Sequence, residues 1–244
     1  MAVFSFPSQK QTKLSALLNS KEGFEYLKAM TAENMLIEAE ALLSANKREK
    51  ALALIRQAKD KLLLNKETDI EKLINISVML QRAERKNEAW MFLLKIKDLF
   101  YQRCEEESIP NYQVLATESI LSYAMSEFLR LEKKLGYCFF MAIKSYLEDT
   151  TATFYLMNAY MQKEITEKNP AIKKAYIQAR KQAESYMNIK ISDHYIKNAI
   201  FTHVSRSGKK DKLPEVLSLV KETISHIPKI DYIKVEEDLL RIMK

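Results

Sequence analysis

The chain has 244 residues, enough for one large core or two small domains and too few for several. Three Gly and five Pro are too few for the turns and edges of a β-rich fold, while Ala, Leu, Lys, Glu and Met, all good helix formers, are abundant. The net charge of +7 is concentrated: residues 163–212 hold twelve Lys or Arg against five Asp or Glu, and the rest of the chain balances.

No stretch alternates apolar and polar residues as a half-buried strand does, so the class read from the sequence is all-α. Two cysteines, Cys104 and Cys138, suit a reducing cytoplasm better than secretion. The opening Met1, Ala2, Val3, Phe4 has no basic stretch before a long apolar run, so no signal peptide is expected. The apolar runs at 89–94 and 137–143 fall well short of a membrane span, so no membrane partner is expected either.

Taken in order, residues 1–30 read as a capping segment with two short helices, one opening at Pro7 and one around Phe24, Tyr26, Leu27 and Met30. Val3, Phe4 and Phe6 are expected to cover the end of a helical stack, a homodimer contact being the alternative. Thr31 reads as the N-cap of a helix to about Asn46, followed by a partner helix from Arg48 to Asn65. Thr68 and Glu71 have capping-box spacing and open a helix to about Glu84, and its partner covers 87–107. A long helix starts at Pro110 and reaches about Lys134. The turn at 132–136 leads into the next helix, and Thr150 with Thr151 is expected to cap another, ending near Ile165. Asn169 before Pro170 marks a strong start. Ser192, Pro214 and Asp231 mark the last three, with residues 207–211 as the clearest turn. This makes about twelve helices in a single 1–244 domain: a 1–30 cap, about five pairs over 31–230, and a closing helix over 231–244.

The organising feature is an internal repeat. Shifting residues 39–62 by 38 places Ala39, Leu42, Ala51, Leu54, Ile55, Ala58 and Leu62 on Ser77, Leu80, Ala89, Phe92, Leu93, Ile96 and Phe100. Within each copy the later residues follow i, i+3, i+4, i+7, i+11, one stripe of a helix. A third copy sets Ser126 and Cys138 at the same twelve-residue spacing. These pairs of small residues predict close helix crossings, and Trp90, beside Ala89, is expected to be largely buried.

On these residues the chain resembles the tetratricopeptide repeat, best over 30–150. Met35, Ala39, Leu42, Ala51, Ile55 and Ala58, then Leu73, Ser77, Leu80, Ala89 and Leu93, fit its pattern. The closing Pro is replaced by Leu63 and Tyr101, and the 38-residue spacing exceeds the family's 34. The resemblance implies a right-handed superhelical α-solenoid of antiparallel helix pairs whose first helices line a concave, protein-binding face. It points to a non-enzymatic scaffold or adaptor for a protein or peptide, with Asn75, Arg82, Asn158, Lys197 and Asn198 as the groove candidates. A cytosolic receptor for a signalling peptide is a second implied role.

The residues themselves leave another class open. Lys173, Lys174, Arg180 and Lys181 on one helix, with Lys209, Lys210 and Lys212 at a turn and Tyr176, Tyr186 and Tyr195 between them, would suit nucleic acid or another polyanion. No catalytic constellation, metal-ligand spacing or cofactor motif is read. His194, His203 and His226 are not paired for a metal, and Glu105, Glu106 and Glu107 point to different sides of a helix.

Overall fold

The computed structural model describes residues 30–64 and 69–244. Those residues form ten α-helices, one 3₁₀ turn and no strand: α1 (Ala32–Ser44), α2 (Arg48–Leu64), α3 (Ile70–Arg82), α4 (Lys86–Glu107), α5 (Asn111–Leu131), α6 (Leu135–Thr166), α7 (Pro170–Lys190), α8 (Asp193–Arg206), the 3₁₀ turn Lys210–Lys212, α9 (Leu213–Ser225) and α10 (Tyr232–Met243). The chain is all-α. The described residues hold ten helices; the expected twelve included two short ones in residues 1–30. The cap segment, with Val3, Phe4 and Phe6, lies outside them but for Met30.

The sequence caps act as read at several starts. Side chains of Thr31, Asn169, Ser192 and Asp231 accept hydrogen bonds from N–H groups of the first turns of α1, α7, α8 and α10. At α3 the cap is Asp69, whose carboxylate accepts from Glu71 N at 3.0 Å and Lys72 N at 3.3 Å. Thr68 lies outside the described residues.

One expectation is overturned. Thr150 and Thr151 do not cap a new helix but lie buried inside α6, which runs unbroken for 32 residues. Their hydroxyls donate back to Tyr146 O and Leu147 O, each at 2.8 Å, and Thr153 does the same to Asp149 O at 2.9 Å. A threonine that hydrogen-bonds the carbonyl four residues earlier is satisfied within the helix and has no reason to end it.

The chain divides into two compact units, one up to Ala89 and one from Trp90 to Lys244. In the first, α1 packs on α2, and Met35, Leu54, Ile55, Leu73, Ile76 and Leu80 are almost wholly excluded from solvent. In the second, α6 packs against α5, α7, α8 and α10. Its Phe139, Phe140, Ile143 and Leu147 join Ile196, Ile200, Val216, Val220, Val235 and Leu239 in one apolar cluster.

The repeat is visible at atomic level. Asn46, Glu84 and Lys133 adopt positive φ of 57°, 63° and 59°. The next residue's N–H then reaches back five positions, Lys47 to Leu42 O at 2.8 Å, Arg85 to Leu80 O at 2.9 Å and Lys134 to Leu129 O at 2.9 Å. Asn46, Glu84 and Lys133 themselves donate to Leu43, Gln81 and Arg130 carbonyls. This double bond pattern is the Schellman motif, usually built on Gly. Here it occurs three times without one.

The crossings repeat as well. Ala39, Ala51, Ser77, Ala89, Ser126 and Cys138 are all buried. Where the first residue is serine, its hydroxyl donates across the crossing: Ser77 Oγ to Ala89 O at 2.8 Å, and Ser126 Oγ to Cys138 O at 2.9 Å. Trp90 departs from expectation. It stands one position off the buried stripe and is half-buried, its ring 5.2 Å from that of Phe128.

Candidate functional site

The groove candidates Asn75 and Arg82 lie on the exposed side of α3, seven residues or two turns apart. Arg82 is not free to meet an acidic ligand. Its Nη1 holds both oxygens of Glu40 on α1 at 2.5 Å. A second pair, Lys72 Nζ to Glu33 Oε1 at 3.2 Å, joins the same two helices nearer their starts. Between these ion pairs the helices expose Ile37, at 69%, and Val78, at 45%, with Asn75 beside them. The result is a small apolar surface closed at both ends by charge.

At the turns of this unit, Arg48 pairs with Glu84, and Arg85 with Glu49 at 3.7 Å. Glu88 lies between Arg56, at 2.6 Å, and Lys59, at 3.4 Å. The Arg56 guanidinium holds the Glu88 carboxyl below the usual carboxylate range. These contacts pin helices together and leave little for a ligand.

The remaining groove candidates belong to the second unit. Asn158 is half-buried on α6. Lys197 and Asn198 are exposed on α8, and Asn198 Nδ2 is 3.0 Å from His194 Nε2. Of the basic candidates, Arg180 is held by Glu164 at 2.8 Å and Glu184 at 3.4 Å, Lys212 by Glu215 at 3.2 Å, and Lys209 donates to Lys244 O at 2.7 Å. Lys173, Lys174, Lys181 and Lys210 are exposed with no ion pair among the described residues. Tyr176 and Tyr195 already face the rings of Tyr160 at 6.5 Å and Tyr146 at 6.2 Å, and Tyr186, at 62%, is more exposed than Tyr195, at 38%.

Sequence reasoning missed a buried polar seam between α5 and α6. Ser119 and Ser145 exchange hydrogen bonds with each other's carbonyls, both at 2.8 Å. One turn along, Ser122 Oγ donates to Glu148 Oε2 at 2.7 Å, and Lys144 Nζ bonds Glu148 Oε1. Ser126 and Cys138 complete the line. The signal was readable: Ser119, Ser122 and Ser126 recur at i, i+3, i+7, and Lys144 precedes Glu148 by four. What sequence could not show is that both patterns meet.

The Glu148 side chain is fully buried, and burial pushes its carboxyl above the usual range while Lys144 and Ser122 pull it back. Tyr232, from α10, lays its ring 5.1 Å from Lys144 Nζ, and its buried hydroxyl has no hydrogen-bond partner among the described residues. Nearby, Tyr101 of α4 donates to Glu118 of α5. Serine, lysine and glutamate in contact could in principle activate a nucleophile. Ser122 is 5% exposed, however, and its proton is directed at the carboxylate. The arrangement holds two helices at close range and offers a substrate no approach.

Among the described residues no group of three or more His, Cys, Asp or Glu is placed to hold a metal, and no helix is long and apolar enough to cross a membrane. No protein-family model, curated protein or solved structure matches the chain.

Proposed function

We propose that this chain is a tetratricopeptide-like helical-repeat interaction protein, working without catalysis in a reducing compartment. In this reading the repeated hairpins stack as a right-handed solenoid, and the exposed side of α1 and α3 takes an extended segment of a partner protein. The observation that carries it is the threefold recurrence of one turn and one crossing, at Asn46, Glu84 and Lys133 and at the small-residue pairs. A unit that repeats its geometry while its exposed residues vary is built to stack and present a surface.

Ile37 and Val78 supply the apolar contact, and Asn75 carries an amide that both donates and accepts, suited to a peptide backbone. The Glu33–Lys72 and Glu40–Arg82 pairs close the surface at its ends. The bound segment is therefore apolar or neutral at its centre. The experiment is affinity capture from the source cells with wild-type protein and with Ile37→Glu combined with Asn75→Ala. The reading expects the captured partner to be lost while the helical melt stays unchanged. Capture that survives this variant removes the α1–α3 face.

A further inference from the structure

Beyond Thr153 the α6 helix leaves the core. None of residues 154–182, the end of α6 and most of α7, is buried. The two helices form an arm joined by the Tyr160–Tyr176 ring contact, by Lys163 Nζ 5.5 Å from the Tyr176 ring centroid, and by the Arg180–Glu164 ion pair. At its base Tyr146 donates to Lys190 O at 2.6 Å, and Lys190 Nζ meets Thr153 Oγ1 at 2.8 Å and Asp149 at 2.6 Å. The arm is anchored, yet it has no core of its own.

Its sequence is that of a covered helix. Phe154, Tyr155, Leu156 and Met157 are consecutive, so they point in four directions about 100° apart, and all four are half-exposed. A helix apolar on all sides is normally buried on all sides, whereas α7 covers one. Phe154, Asn158, Met161 and Ile165 recur at i, i+4, i+7, i+11, a continuous stripe, and its outer members Met161 and Ile165 are 41% and 67% exposed. The charge around the tip is one-sided. Residues 163–181 hold six cations against Glu164 and Glu167, and Glu164 is taken by Arg180. Lys168, Lys173, Lys174 and Lys181 have no ion pair among the described residues.

We infer that this arm is a docking surface for an acidic amphipathic helix of a partner protein, laid along the Phe154–Asn158–Met161–Ile165 stripe with carboxylates reaching the tip lysines. Helix-on-groove recognition uses anchors at this spacing, and carboxylate–ammonium contacts are among the stronger hydrogen bonds. Three other occupants fit less well. A second copy would bring two positively charged arms together. A nucleic acid would satisfy the lysines but leave the aliphatic stripe bare, since bases stack on aromatic rings. A lipid surface would bury the Asn158 amide without a partner, whereas a polar side chain of a peptide helix can hydrogen-bond it. The surface belongs to the second unit and stands independently of the α1–α3 reading.

The probe is a synthetic, labelled peptide of about fifteen residues, enough to span the stripe at roughly 1.5 Å per residue, with Leu at helical spacing and Glu elsewhere. Its control carries Lys for every Glu. Anisotropy titrations should show binding of the acidic peptide alone. Met161→Glu with Ile165→Glu should weaken it about tenfold or more, and Lys173→Glu with Lys174→Glu should weaken it and flatten its salt dependence. Circular dichroism of both variants should match wild type, because all four positions are exposed. No binding, equal binding of the two peptides, or variants that bind like wild type would overturn the inference. So would a concentration-dependent dimer abolished by Ile165→Glu, or tighter variant-sensitive binding of single-stranded RNA or anionic vesicles.

Discussion

The two halves of α6 have similar apolar content and opposite surroundings. From Cys138 to Thr153 the helix is gripped by α5 through the serine seam and by α8 and α10 through Ile143 and Leu147. From Phe154 to Thr166 it has Tyr176 and Arg180 of α7 on one side. Apolar side chains fix where burial is favourable, and only the neighbouring elements decide where it happens. The first half is built for stability and the second is left for a partner. Mutations should therefore be costly in one half and silent for stability in the other.

The largest effect is expected at Lys144→Met. It leaves Glu148 buried without its cation, a loss typically worth about 3–5 kcal/mol. The sign with pH follows from the raised carboxyl. Glu148 is protonated in the folded state below its unfolded pKa of about 4.3, so the penalty is small there and grows as pH rises through the folded value. Urea melts at pH 4 and pH 8 should show the variant's deficit mainly at pH 8. Next come the crossings: Ala51→Leu or Ala89→Leu should overpack a fully buried contact and cost about 1–3 kcal/mol in the same melts. Ser126→Ala should cost about 1 kcal/mol through the lost bond to Cys138 O.

These sites also mark what the sequence made legible. The 38-residue register located Ala39, Ala51, Ser77 and Ala89, because small residues facing each other across a crossing must keep their spacing. The caps at Asn169, Ser192 and Asp231 were local and so readable. Thr150 and Thr151 misled because a threonine hydroxyl can cap a new helix or bond its own helix four residues back, and the choice depends on the core around Leu147. The Arg82 ion pair was hidden for a different reason: its partner Glu40 lies 42 residues away, beyond any helical spacing. The α5–α6 seam combines two readable patterns, but their meeting is a tertiary fact.

A smaller effect separates burial from charge. His203 is half-buried, with Nδ1 unpartnered among the described residues, and faces the charges of Arg206, Glu127 and Arg130. Burial, then Arg206, depresses its pKa. Stability tied to this neutral imidazole is present above the unfolded value of about 6.5 and lost as pH falls through the folded value. His203→Gln should flatten the fall in melting temperature between pH 7 and pH 5. Smallest are the turns: Lys133→Gly relieves a positive φ and should stabilise by a few tenths of a kcal/mol, net of added unfolded-state freedom. Glu84→Gly also removes the partner of Arg48 and should gain less. Asn46→Gly should gain less, since Asn tolerates that conformation.

Amide hydrogen exchange read along α6 tests the contrast most directly, because exchange reports local opening residue by residue. In the free protein, residues 138–153 should exchange slowly and residues 154–182 much faster, and saturating acidic peptide should slow the second set while leaving the first unchanged. Equal protection along the whole of α6 in the free protein, or no change in residues 154–182 with the peptide bound, would contradict the account.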